Sequence, residues 1–226
     1  AQGGNQYQRV PVPANDFGAE EVTTLDRQRR IVSLLVEQRW GGRNGRLGKK
    51  LKIYGEVHHL PKGRETLAPG FSDQRPLPDD RGWMLGLQGG LWNFPSSIAA
   101  RGHLNVWLRL ASGLAAFDEL AQPYGLNRER RSVDAQEVRG AFSGNLERGQ
   151  LGLMFGGYIR AFTDADGQDE DFDDRIEGAG ALRALWLNGY FTPGIEASVQ
   201  MSRPNGLNPR TEEQNVAQVT QLALIP

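Results

Sequence analysis

The sequence predicts an all-β fold, an antiparallel meander of about nine long strands that reads as part of a transmembrane β-barrel, and three observations predict it. Apolar and polar residues alternate strictly in segment after segment. In "GHLNVWLRLASG" (102–113), Leu104, Val106, Leu108 and Leu110 share one parity, and His103, Asn105, Trp107 and Arg109 the other. Most segments run 10 to 14 residues, about twice the ~5–6 usual for globular strands. The connections between them alternate in length, short then long.

In order, the segments are 30–40 (RIVSLLVEQRW), 49–60 (KKLKIYGEVHHL), 81–93 (RGWMLGLQGGLWN) and 102–112. They continue with 136–147 (QEVRGAFSGNLE), 150–163 (QLGLMFGGYIRAFT), 178–189 (GAGALRALWLNG), 194–203 (GIEASVQMSR) and 215–225. Residues 1–29 contain none of these segments and are read as an irregular N-terminal stretch, leaving 30–226 as one β-barrel domain. Helical periodicity is weak, and only "LAAFDELAQ" (114–122) suggests one or two helical turns.

The short connections are 41–46, 94–101, 148–150 and 190–194, and the long polar ones 61–80, 113–135, 164–177 and 204–214. Short turns at one end and long loops at the other are the habit of outer-membrane barrels. A Greek-key sandwich has no reason to keep that alternation. Strands of this length also suit a bilayer, which takes about 9–11 residues per crossing. Protease on whole cells is expected to reach the long connections and spare the short turns.

The two parities differ in kind. Leu51, Ile53, Gly55 and Val57 share one, as do Trp83, Leu85, Leu87 and Leu91, then Leu151, Leu153, Phe155 and Ile159, then Ile195, Ala197, Val199 and Met201. Lys52, Tyr54, Glu56 and His58 take the other, with Met84, Gln88 and Trp92, then Glu137, Arg139, Ser143 and Asn145, then Glu196, Ser198 and Gln200. Charge in mid-strand is costly against lipid, so the charged parity is expected to face a lumen. In 178–189, Arg183 shares parity with Leu185 and Leu187, which leaves the inward set open unless a bulge reconciles them.

Composition narrows the function classes. Lys plus Arg number 26 and Asp plus Glu 27, for a net charge of −1, so no bulk field calls for nucleic acid. Mean hydropathy is −0.51, and no apolar run approaches the ~18 residues of a helical span; half of every barrel strand is polar, so a barrel stays open. The absence of cysteine excludes disulfides and thiolate-ligated metal. The opening "AQGGNQYQRV" has no basic-plus-apolar leader pattern, which suits a mature chain, a fragment or a cytosolic protein.

The stretches "RLGKKLKIYGEVHHLPKG", "GWMLGLQGGLWN…HLNVWLRLASGLAAFDEL", "EVRGAFSGNLERGQLGLMFGGYIRAF" and "LWLNGYFTPGIEASVQMSRPNG" resemble consecutive hairpins of maltoporin-like carbohydrate porins. The likeness covers roughly residues 28–225 and lies in hairpin order and strand texture, matching the family's middle and later strands. It implies an 18-stranded trimeric barrel through which sugars diffuse along an aromatic slide. By local match, slide positions fall on His103 in "RGHLNVW" and Phe191 in "GYFTPG". Nine strands is an odd number where single-chain bacterial barrels have even ones, and "QLALIP" lacks the terminal aromatic usual in outer-membrane barrels, so either a truncated barrel or a strand count off by one is expected.

Among the inward residues, Tyr54, Trp92, Trp107 and Tyr158 suit stacking on a pyranose face, and Arg109, Arg160, Glu56 and Glu137 suit charge-assisted bonds to hydroxyls. Trp92 and Tyr158, read as lying near strand ends, equally suit the aromatic girdle of a barrel. His58 and His59 point to opposite faces and cannot readily share a metal; both read as solvated. The loop "DADGQDEDFDD" (164–174) spaces Asp164, Asp166, Asp169 and Asp171 as oxygen ligands for a hard cation would be spaced, but lacks an EF-hand's placement of loop glycine and closing glutamate, so it reads as a solvated surface, with a lipopolysaccharide-bridging cation as the sharper alternative. Ser143 and His103 both face inward but nothing links them, and no catalytic arrangement emerges. The chain is not expected to be an enzyme or to carry a cofactor or metal.

These readings converge on passive uptake of sugars or maltodextrin-like oligosaccharides across a bacterial outer membrane. Lipid, lipopolysaccharide and two further copies in a homotrimer are the expected partners. A soluble carbohydrate-binding or structural β-sandwich is the alternative from another class, and a non-sugar general porin the nearer one.

Overall fold

Nine strands pair into one antiparallel meander, and each lies where alternation predicts one. The computed structural model describes residues 6–10, 21–25, 29–42, 46–66, 74–93, 101–117, 126–166, 174–189, 191–207 and 212–225. In chain order its strands are β1 (Gln6–Val10), β2 (Glu21–Leu25), β3 (Arg30–Gly41), β4 (Gly48–Leu60), β5 (Gly63–Thr66), β6 (Gln74–Leu77) and β7 (Asp80–Trp92). They continue with β8 (Arg101–Gly113), β9 (Gln136–Arg148), β10 (Leu151–Thr163), β11 (Arg175–Trp186), β12 (Gly194–Pro204) and β13 (Ala217–Ile225). The large sheet has the order β13-β12-β11-β10-β9-β8-β7-β4-β3, and the described residues form no helix.

The antiparallel order puts alternate connections at opposite ends. On the short side, β9 passes to β10 through Gly149 and Gln150 alone, with Arg148 opposite Leu151. Gly149 has φ 61°, a conformation that suits glycine at the first position of a two-residue hairpin turn.

A second, four-stranded sheet has the order β1-β2-β5-β6. Its ladders extend those of the large sheet. The β4–β7 pairing reaches Leu60↔Asp80, and β5–β6 resumes in step at Gly63↔Leu77. The β3–β4 pairing includes Arg30↔His59, whereas β2–β5 pairs Thr24 with Thr66, one residue out of step. Two expectations are thereby corrected. The stretch 1–29 holds two short strands, and the 61–80 connection holds two more, of four or five residues each. Pieces this short fall below the length at which alternation stands out.

Segment 178–189 also needs correction, since the strand is Arg175–Trp186. Its register against β10 runs unbroken from Leu151↔Trp186 to Phe162↔Arg175, with no bulge. Directly opposed residues share a face, so Arg183 joins the polar face and Leu182, Ala184 and Trp186 the apolar one. The helical turn expected at 114–122 is a tight turn at its start, where Ala116 N–H donates to the Gly113 carbonyl at 2.9 Å; residues 118–122 lie outside the described ones.

The sheet's two faces contrast. On one, Val57, Leu85, Leu87, Val106, Leu108 and Ile159 stand exposed, Val106 by 54% and Ile159 by 63%. No second layer covers them among the described residues, whereas a sandwich sets another sheet about 10 Å away. The buried apolar cluster is small and lies against the other face at the long-loop end: Ala111, Ala115, Ala116, Phe117, Ala135, Phe162 and Ala165, with Met84 beside it. Phe117 meets Phe162 edge-on, their centroids 5.2 Å apart.

Candidate functional site

The polar face is laid out in cross-strand rows. One row runs Lys52, Gln88, Trp107, Ala141, Tyr158, Ala179, Gln200 across β4 and β7 to β12. Trp107 and Tyr158 are thus separated by the small Ala141, about 10 Å apart at about 4.8 Å per strand. Tyr158 lies in mid-strand, so its expected place near a strand end is corrected. A groove of about 480 Å³ lies along these residues, with Arg139, Ser143, Ser198 and Gln200 contributing polar atoms to its walls.

The next row runs Tyr54, Gly86, Arg109, Arg139, Arg160, Glu177. Glu137, one step further along β9, binds two of its arginines: Arg109 Nε donates to Glu137 Oε1 at 2.7 Å and Arg160 Nε to Oε2 at 2.6 Å. Arg160 also donates to Glu177 Oε1 at 3.2 Å and to the Ala116 carbonyl at 3.1 Å. Arg175 Nε reaches Glu177 Oε2 at 3.1 Å. The Glu137 side chain is wholly buried and Arg160 is 3% exposed. A buried charge requires such pairing, because its desolvation otherwise costs several kcal/mol. Arg160 and Glu137, expected to bond sugar hydroxyls, are instead consumed by one another and by the 113–117 turn.

That turn is pressed onto the sheet. A Cβ at Gly82 would collide with the backbone of Ser112, Leu114 and Ala115, so only glycine admits the approach. The Leu114 carbonyl accepts a bond from the Arg29 guanidinium, which also donates to His58 Nδ1. His58 Nε2 lies 2.9 Å from Glu56 Oε2. Since Nδ1 accepts, Nε2 carries the proton and donates to Glu56. His58 is 3% exposed, which corrects its reading as solvated: Arg29, which the Leu114 carbonyl also holds, comes from another segment and leaves no mark in "EVHH". His59 is exposed on the opposite face, as the alternation requires. Beside the turn, Asp80 Oδ2 accepts bonds from Ser132 N–H and Oγ–H, both 2.7 Å, tying the far end of the same loop to β7.

The remaining candidates are scattered. Tyr54 lays its ring over Gly86, where a Cβ would overlap it, and so shares the row of Arg109. Trp92 lies over Gly48 and Gly42 at the short-turn end. His103 is exposed beside it, its N–H donating to Asn145 Oδ1 at 3.0 Å; it stands four residues, about 14 Å, from Trp107. Phe191 lies outside the sheet in a short connection, bridged to Asn188 and 57% exposed. Neither slide position therefore joins the Trp107 row.

In the acidic loop, Asp164 is buried, its N–H donating to Asp174 Oδ1 at 2.7 Å, and Asp166 N–H donates to Asp164 Oδ1 at 3.1 Å; Asp169 and Asp171 lie outside the described residues. Among the described residues no group of three acidic or histidine side chains is placed to hold a metal ion. Arg139, Arg175 and Glu177 complete the site and were not singled out from sequence. Their signal is register between strands, which no single strand carries.

No protein-family model, curated protein or solved structure matches the chain.

Proposed function

We propose that the chain forms part of a transmembrane β-barrel in a bacterial outer membrane, through whose lumen sugars diffuse. The observation that carries the reading is the contrast between an uncovered apolar face and a polar face bearing a row of rings and charges. A soluble monomer rarely leaves an apolar patch above a few hundred Å² in water, and lipid would cover such a face. Strands of 13 residues are about 43 Å long at about 3.3 Å per residue, and at about 45° tilt cross about 30 Å of hydrocarbon. β3 and β13 are the sheet's edges, and lipid tolerates no open edge. Closure with further strands, up to the 18 that the porin resemblance implies, and assembly as a homotrimer among lipid and lipopolysaccharide belong to the same reading.

On this reading the sugar passes over Trp107, Ala141 and Tyr158, its CH face on the rings, held loosely enough to leave. The full-length protein in a planar bilayer tests it: maltodextrins should interrupt the ion current in a concentration-dependent way, and neutral polyols of equal size should not. Equal effects from both would leave a general pore, and extraction without detergent as a non-conducting monomer would favour the soluble sandwich.

A further inference from the structure

The polar face carries more positive charge than its carboxylates balance. Arg109, Arg139 and Arg160 stand side by side on β8, β9 and β10. Arg109, Arg160 and Arg175 share Glu137 and Glu177 between them. Arg139 is the odd one. It makes no ion pair with any described residue, and its Cζ lies 4.5 Å from the Tyr158 ring centroid. Its flanking arginines are both committed to Glu137, which is buried and cannot turn to serve it.

A guanidinium stacked on an aromatic face keeps its N–H edges in plane, the geometry that grips a carboxylate, sulfate or phosphate with two bonds. Arg139 lies one same-face step along β9 from Ala141, about 7 Å, beside the Trp107–Tyr158 shelf. From this we propose that Arg139 is a subsite for the anionic group of an acidic oligosaccharide whose ring rests on that shelf. The neighbouring arginines raise the local potential and disfavour cations, so the pore should also prefer anions. This inference rests on the pore reading and narrows its substrate class.

The full-length protein in a planar bilayer tests both separately. Trigalacturonate should block the current roughly tenfold more tightly than maltotriose, the worth of about 1.4 kcal/mol from charge-assisted bonds. Arg139→Gln should remove that difference and lower the chloride preference measured in a KCl gradient. Arg139→Lys should keep the chloride preference and lose most of the difference, because an ammonium offers no fork. If trigalacturonate and maltotriose block alike, or Arg139→Gln weakens both equally, the subsite is overturned while the sugar pore stands. If the protein conducts no current at all, the pore reading fails and the subsite with it.

Discussion

Trp107 and Val106 are neighbours in β8 with opposite duties. Trp107 faces the groove with Tyr158, and Val106 stands on the uncovered apolar face. Trp107→Ala should weaken sugar block by on the order of 1 kcal/mol, about fivefold, the scale of one aromatic contact. Val106→Ala should leave it unchanged; the reverse outcome in blocking titrations would invert the faces. Glu137 is a different kind of residue. Its carboxylate is buried against Arg109 and Arg160, and removing one partner of a buried pair strands the others at a cost of about 3–5 kcal/mol. Glu137→Ala should show that loss in denaturant titration of the vesicle-inserted protein and should expose the 113–117 turn to protease. A loss below about 1 kcal/mol, as for a surface pair, would contradict the burial. The parity of Trp107 and Arg109 was legible in β8 alone. The capture of Arg160 by Glu137 was not, because it depends on which residues of β9 and β10 stand opposite one another.

At the scale of elements, β7 shows how one strand makes room for its neighbours. Its polar parity is Asp80, Gly82, Met84, Gly86, Gln88, Gly90 and Trp92. The glycines leave bare backbone on which the 113–115 turn, the Tyr54 ring and the Lys50 side chain lie. Gly86→Val should overpack the Tyr54 ring and cost about 1–3 kcal/mol. In a Tyr54→Ala background the same change should cost much less, and an unchanged cost would mean the ring lies elsewhere. Strand positions were legible wherever large residues alternate, as in β4, β8 and β12. They blurred in β11, where "GAGALRALW" mixes small residues with leucines of both parities. There the partner strands, through Arg183↔Glu196 and Leu182↔Phe155, decide the faces that the segment itself leaves open. β1, β2, β5 and β6 escaped for the opposite reason: each is too short to display a period.

For the whole molecule, the proposed pore requires that the apolar face meet lipid and the polar face water. The absence of cysteine lets each position be labelled alone. A nitroxide placed in turn at positions 104–110 of β8 in the bilayer-reconstituted protein reports collisions with oxygen, which concentrates in lipid, and with a water-soluble nickel chelate. Positions 104, 106, 108 and 110 should favour oxygen, and 105, 107 and 109 the nickel chelate, the two profiles alternating out of phase. Profiles that rise and fall together, or nickel access at 106 and 108 equal to that at 107, would rule out a lipid-facing apolar side.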